Sequence, residues 1–237
     1  MKVARIENET VVFVLRWADI ERLLDSIGKH LPSSSVSVSC TDGLLRVFDD
    51  IEELKAFNNA ERTAVTTLRI FSRGRNAGEC FKISLSNGEG RNVKVELDAV
   101  DEQTAATIYR IYQDFLDALK PWYSRIAKTQ VGFLISCFVL IVFAAPIAIE
   151  LFKASLVSNS WSGNIDSRKF ALVALGILMP MIFNSNLNGL RDKYFPMGTF
   201  AFGDGETRHQ KNEVVRQVII LGSVISVVTS VVLSRVL

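Results

Sequence analysis

Residues 79–98 read ECFKISLSNGEGRNVKVELD, and they alternate apolar and polar side chains on both sides of a turn. Phe81, Ile83 and Leu85 take every second place, and then Val93, Val95 and Leu97 do the same. A period of two marks a strand with one buried face. Asn87-Gly88 between the runs is a hairpin signal. A third run over 63–72 carries Leu68 and Ile70 inward, and Gly74, Asn76 and Gly78 supply its connection to the second. Three consecutive antiparallel strands are therefore expected.

The reading extends upstream from there. Residues 11–15 are uniformly apolar, as a fully buried strand is. Trp17, Ile20, Leu23, Leu24, Ile27 and Leu31 recur at helical spacing, with Pro32 as the stop. Val36, Val38 and Cys40 alternate with serines, and Asp42-Gly43 turns the chain into a strand over 44–48. Ile51, Leu54 and Phe57 mark a short helix. Downstream, Asp101 is a good cap for a helix reaching about Leu119, with Ile108, Ile111, Phe115 and Leu119 on one side and Pro121 at its end. Residues 1–120 thus form an α+β domain, an antiparallel sheet with helices on one face.

Residues 121–237 read differently. Three apolar stretches, 131–152, 170–190 and 218–237, approach the roughly 20 residues that a helix needs to cross a bilayer. They predict an all-α membrane bundle of three helices, with the lipid bilayer as a partner. The second stretch spans only if its asparagines are counted, so a re-entrant segment stays open. Basic residues flanking the stretches place residues 1–120 and the loop after 190 on the inner side. The first ten residues, MKVARIENET, contain no apolar signal core. The expected location is the inner membrane of a bacterial cell, with the N-terminal domain cytoplasmic. Trp122-Tyr123 is expected at headgroup level. Tyr194, Phe195, Phe200 and Phe202 are expected to form an interfacial elbow around Pro196 and Gly198. Within the stretches, Glu150, Asn184 and Asn188 are polar groups that need partners or water. Gly222, Ser226 and Ser230 recur every four residues, as close helix packing or a narrow wet path requires. A path would need several copies about an axis, a tetramer being one such homo-oligomer.

Net charge is only +2, so whole-chain charge points to no partner. Its distribution says more. Residues 69–94 hold Arg69, Arg73, Arg75, Lys82, Arg91 and Lys94 against Glu79 and Glu89. Period-two geometry turns Arg69, Phe71, Lys82 and Lys94 to the outward face, with Arg73, Arg75 and Arg91 at its turns. Arginine offers a planar fork to phosphate, and Phe71 offers a stacking surface to a base. The face suits a phosphate-bearing ligand, a nucleotide or an oligonucleotide. A solvated strand face with Glu79 and Glu96 as ion-pair partners is the other reading. His30 and His209 are the only histidines, and Cys40, Cys80 and Cys137 have no CxxC spacing. Neither a catalytic motif nor a metal-ligand pattern is legible, so no catalytic residue, metal or cofactor is expected, and the chain is not read as an enzyme.

Tyr194-Phe195-Pro196, Phe200, Gly203-Asp204-Gly205 and Arg208 precede the last apolar stretch. That motif, and an N-terminal head before C-terminal spans, resemble membrane effectors of bacterial anti-phage defence, the Hailong channel effectors among them. The resemblance implies an oligomeric inner-membrane ion channel, gated through its head by an oligodeoxyadenylate that a partner nucleotidyltransferase makes. The alternative is a non-conducting membrane anchor or scaffold whose head recruits a protein partner. Ligand identity, ion selectivity, copy number and trigger are not legible in the chain.

Overall fold

The computed structural model describes residues 3–48, 51–76, 78–88, 90–129 and 188–236. The chain forms two compact units, Met1–Ser124 with Tyr194–Leu237, and Arg125–Lys193. The strands are β1 (Val3–Glu9), β2 (Phe13–Leu15), β3 (Ser33–Cys40), β4 (Leu45–Phe48), β5 (Val65–Arg73), β6 (Cys80–Ser86), β7 (Val93–Ala99) and β8 (Gly198–Phe200). The helices are α1 (Trp17–Gly28), α2 (Ile51–Ala56), α3 (Glu102–Ala118), α4 (Ser124–Lys128) and α5 (Asp204–Val236).

Six strands make one antiparallel sheet in the order β1-β7-β6-β5-β3-β4. The alternation read from residues 79–98 sets its inner face: Phe81, Ile83, Leu85, Val93, Val95 and Leu97 are all buried. Leu68 and Ile70 on β5 and Val36 and Val38 on β3 continue that face. α1 and α3 cover it. Asp101 caps α3 by accepting from the Thr104 N–H at 2.7 Å. α3 buries Ala105, Ile108, Tyr112, Phe115 and Leu116 at three- and four-residue steps. Each large apolar side chain so removed from water contributes on the order of 2 kcal/mol. α1 ends at Gly28, before Pro32, and a turn carries Leu31 back into the core.

Two strands lie outside the sequence-based reading. β1 is the edge beside β7, and toward α3 it presents charge instead of hydrocarbon. Arg5 pairs with Glu7 at 2.6 Å and lies 3.6 Å from the Tyr109 ring centroid, while the Tyr109 hydroxyl donates to Glu7. β8 pairs in parallel with β2, which is more than 180 residues earlier in the chain. Phe200 meets Phe13 edge-on at 5.7 Å, and Phe202 lies against Trp17 at 4.4 Å.

This arrangement corrects the expected membrane elbow. Phe195, Phe200 and Phe202 are buried in the same unit as the sheet. Tyr123, expected at headgroup level, is buried too. The Arg216 guanidinium, itself without solvent exposure, lies 4.2 Å from the Tyr123 ring centroid. Arg216 donates to the Tyr194 carbonyl and pairs with Glu213. Trp122 donates to Glu213 at 2.6 Å.

The membrane bundle is corrected as well. Among the described residues no helix is long and apolar enough to cross a membrane. The fold class therefore stands as an antiparallel sheet with helices, and the membrane, channel and inner-membrane assignments lose their basis. Residues 218–236 are not a separate segment. They are the second half of the 33-residue α5, whose first turns pack on the head. Residues 131–152 and most of 170–190, with Glu150 and Asn184, lie outside the described residues. In the second unit, residues 188–193, Asn188 included, are helical, and Arg191 donates to the Thr129 carbonyl at 3.2 Å.

Asn59 ties α5 and β8 to the sheet. It is buried, donates to the Phe200 carbonyl at 3.0 Å and accepts from the Val65 N–H at 2.8 Å. Arg208 donates to the Asn59 carbonyl at 2.8 Å. Asn59→Ala leaves a buried donor and a buried acceptor unpaired. It should cost about 2–3 kcal/mol, read as a lower urea midpoint.

His209 sits at the same junction. Burial, then the nearby Arg216 charge, hold its pKa below the ordinary histidine value. The folded state thus binds fewer protons than the unfolded chain, and stability rises with pH through that range. Acidification below about pH 6.5 should destabilise the protein, and His209→Gln should flatten the dependence, as measured by thermal melts from pH 7.5 to 5.

Candidate functional site

With α1 and α3 on one face, the other face of the sheet is the place where side chains meet solvent. Strand register builds it as a lattice. One row runs Ser35, Phe71, Lys82, Glu96 across β3, β5, β6 and β7. The next runs Ser37, Arg69, Ser84, Lys94 on the same four strands. Neighbours in a row are about 5 Å apart between strands, and the rows are separated by two residues, about 7 Å. Arg69 and Lys94 are exposed, Lys82 and the serines half-buried, and Phe71 is 39% exposed among them. The aromatic ring faces outward because β5 alternates, not because the core is full: Ile70 and Ser72 on either side are buried.

The electrostatics of the lattice centre on Glu96. Its carboxylate takes Lys94 at 2.5 Å and Lys82 at 3.3 Å. Lys94 first, with Lys82 after it, holds the Glu96 pKa below the usual carboxylate range. That contribution is present above the ordinary glutamate value and is lost as pH falls through the depressed one. Arg69, one row from Glu96 and two strands away, makes no ion pair among the described residues. Arg73, the next outward residue of β5 after Phe71, likewise makes no ion pair among the described residues, so the face offers two guanidinium groups, and two ammonium groups already sharing a carboxylate. An incoming phosphate would compete with Glu96 for the lysines while meeting Arg69 directly.

The remaining basic residues separate. Arg73 ends β5 and Arg75 follows in the connection to β6, whereas Arg91 lies in the connection from β6 to β7. These connections are at opposite ends of β6, a seven-residue strand about 20 Å long. A compact ligand cannot bridge them, but an extended one lying along the strands can. Glu79, considered as an ion-pair partner, is instead buried and accepts from Asn76 at 3.0 Å. Ser35, Ser37 and Ser84 join the site. Their signal was the alternation of serine with valine over 35–39 and the place of Ser84 between Ile83 and Leu85.

Of the residues considered for packing or a pore, Gly222 and Ser226 lie on α5 and are exposed. A Cβ on Gly222 would meet no described atom within 4 Å. Ser230 belongs to the same helix. Gly203 and Gly205 of the quoted motif have a packing role. A Cβ on either would fall against Asn59 or its neighbours, and Gly203 adopts a φ of +54°.

No protein-family model matches this chain, and neither a curated protein nor a solved structure matches it.

Glu96 provides a test of the face. Glu96→Gln removes the carboxylate that holds both lysines and preserves side-chain size. It should strengthen binding of a short single-stranded oligodeoxynucleotide by about fivefold in fluorescence anisotropy. Weaker binding would place any anion site elsewhere.

Proposed function

We propose that this chain is a non-enzymatic sensor whose open sheet face binds a phosphate-bearing ligand, an oligonucleotide before a mononucleotide. The observation that carries the reading is the Arg69, Lys82, Lys94 lattice around exposed Phe71 on the face that the helices leave uncovered. The phosphate backbone supplies sequence-independent attraction to such cations. A base can stack on Phe71, since every base has a π-face. The distance between Arg75 and Arg91 favours a chain-like ligand that follows the strands. The resemblance to anti-phage effectors supplies a setting in which a partner nucleotidyltransferase makes that ligand. In this setting the structural part of the motif, Gly203, Gly205 and Arg208, fastens α5 to the sensing sheet.

A second reading rests on a separate observation. Leu45 and Val47 on the edge strand β4 are each more than half exposed and flank the serine column of β3. An exposed apolar edge can take an added strand from a protein partner.

The full chain, titrated with labelled oligodeoxyadenylate, distinguishes the two. Binding should fall with salt at a logarithmic slope of about −2, as three phosphate contacts on a single strand require. Reversal of Arg69, Lys82 and Lys94 to Glu should abolish it, with the unfolding midpoint within about 1 kcal/mol of the original. Phe71→Ala should weaken binding roughly tenfold while the salt slope stays the same. Absence of binding by the unaltered chain would leave the partner-strand reading.

A further inference from the structure

Beside the first turns of α5 lies a cavity of about 260 Å3, bounded by β8, by the residues leading into β5 and by the turn after β6. It belongs wholly to the first unit, and no residue of the basic lattice on the sheet lines it. Its wall is rich in donors. Thr199, Arg208 and His209 line it, with the carboxamides of Asn87 and Asn212 beside them. Arg208 Nη1, His209 Nδ1 and Thr199 Oγ1 are buried, and none makes a hydrogen bond of acceptable geometry among the described residues. The Tyr123 hydroxyl, close to Thr199, is in the same condition. Arg208 is the costly member. Its Nη2 donates to the Asn59 carbonyl at 2.8 Å, but it forms no ion pair among the described residues. A half-buried guanidinium with neither a carboxylate nor a full set of acceptors carries a desolvation cost that none of the described residues offsets. Glu61 is the sole acid among the lining residues, and it is exposed.

We propose that this cavity is a ligand site separate from the sheet face, and that it takes a small molecule through an oxyanion, a carboxylate or a phosphate. An oxyanion accepts from Arg208 Nη1, from the Thr199 hydroxyl and from His209 in the tautomer that carries its proton on Nδ1. A hydrogen bond between a guanidinium and an oxyanion is about twice as strong as a neutral one, and it supplies the counter-charge that Arg208 lacks. A cation would meet the same guanidinium with only an exposed glutamate in its favour. The volume limits the rest of the ligand, because sites for drug-sized molecules begin at about 300 Å3. The three polar atoms are shielded from bulk water, so the oxyanion reaches them by a small rotation of these side chains and meets them at low dielectric. The wall joins Thr199 of β8 to Arg208 and His209 of α5, so an occupant bridges the two elements that Asn59 already ties together. Binding there stabilises that junction by mass action.

The experiment uses the full chain with isotope-labelled histidines. His209 lines the cavity and His30, the only other histidine, does not, so one reports and the other is the control. The chain is titrated with inorganic phosphate and, separately, with malonate, at constant ionic strength with chloride as the balancing salt. The His209 ring resonances should shift saturably with at least one of the two anions while His30 stays in place. A response to phosphate alone identifies a phosphate-bearing ligand, a response to malonate alone a carboxylate, and a response to both fits the shared chemistry. Arg208→Gln should weaken the half-saturation at least about tenfold, and Thr199→Val, which keeps the shape of the side chain, about threefold. No saturable response to either anion would overturn the proposal, as would an equal shift with chloride. Unchanged affinity in a folded Arg208→Gln variant would do the same, or in Thr199→Val where loss of the Asn59 contact unfolds Arg208→Gln. Reversal of Arg69, Lys82 and Lys94 to Glu should leave the His209 response in place. Its loss there would move the anion to the sheet face and end this proposal, whereas failure of the labelled oligodeoxyadenylate to bind ends only the sheet-face reading.

Discussion

The Asn59 side chain is the point on which the first unit turns. Its amide donates to β8 through the Phe200 carbonyl, its oxygen accepts from the first residue of β5, and its backbone carbonyl receives Arg208 of α5. β8 and α5, neighbours in sequence and 141 and 149 residues away at their contacting residues, thus meet the start of β5 at one buried residue. A buried amide with donors or acceptors unmet is costly, so the pairing is close to obligatory. Without it, the strand pairing of β8 rests on the three residues of β2, and a two-stranded pairing of that length is marginal. Gly203 and Gly205 reflect the same constraint, since the backbone passes too close to Asn59 and its neighbours to admit a side chain.

Fixing α5 and β8 decides what remains free. The inner sheet face is filled by α1 and α3, and the core continues through Phe13, Phe200 and Phe202. Among the described residues no helix covers the outer face, and it keeps a polar lattice of serine, lysine and arginine with Phe71 in the middle. Such a face can remain in water without further cover, because its apolar content is confined to Phe71 and the edge residues Ile6, Leu45 and Val47. The Glu96 carboxylate keeps Lys82 and Lys94 from repelling each other across the strands. A face of this kind is stable when empty and keeps Arg69 and Lys94 exposed, the two properties that the proposed phosphate binding needs.

Much of this was legible in the sequence where the pattern is local. β5, β6 and β7 followed from alternation, and the rotation of Arg69, Phe71, Lys82 and Lys94 to one face followed from the same period. The Asp101 cap and the α3 register were equally local. What was missed depends on long-range partners. β1 presents Arg5 and Glu7 where a strand usually presents hydrocarbon, and only Tyr109, a hundred residues on, explains why. β8 is three residues long and exists because β2 lies beside it. The aromatics at 195–202 suit a lipid interface by composition, and composition alone cannot distinguish one apolar environment from another. The separation of Arg75 from Arg91 likewise needed the strand order, not the charge count.

The apolar run after residue 217 shows the limit of reading by composition. Taken alone it has the length and content of a span, but its helix starts fourteen residues earlier, at Asp204. Arg208 and Arg216 in those turns are committed to Asn59, Tyr194 and Glu213. A helix so anchored has its rotation and direction set by polar contacts before its apolar half begins. The apolar residues then cannot choose which side they present; the docked turns choose for them. The side that Val214 and Val218 present is consequently set by the docked head as much as by the helix. Any change that loosens Arg208 or Arg216 should alter which residues of the apolar half are exposed without touching one of them.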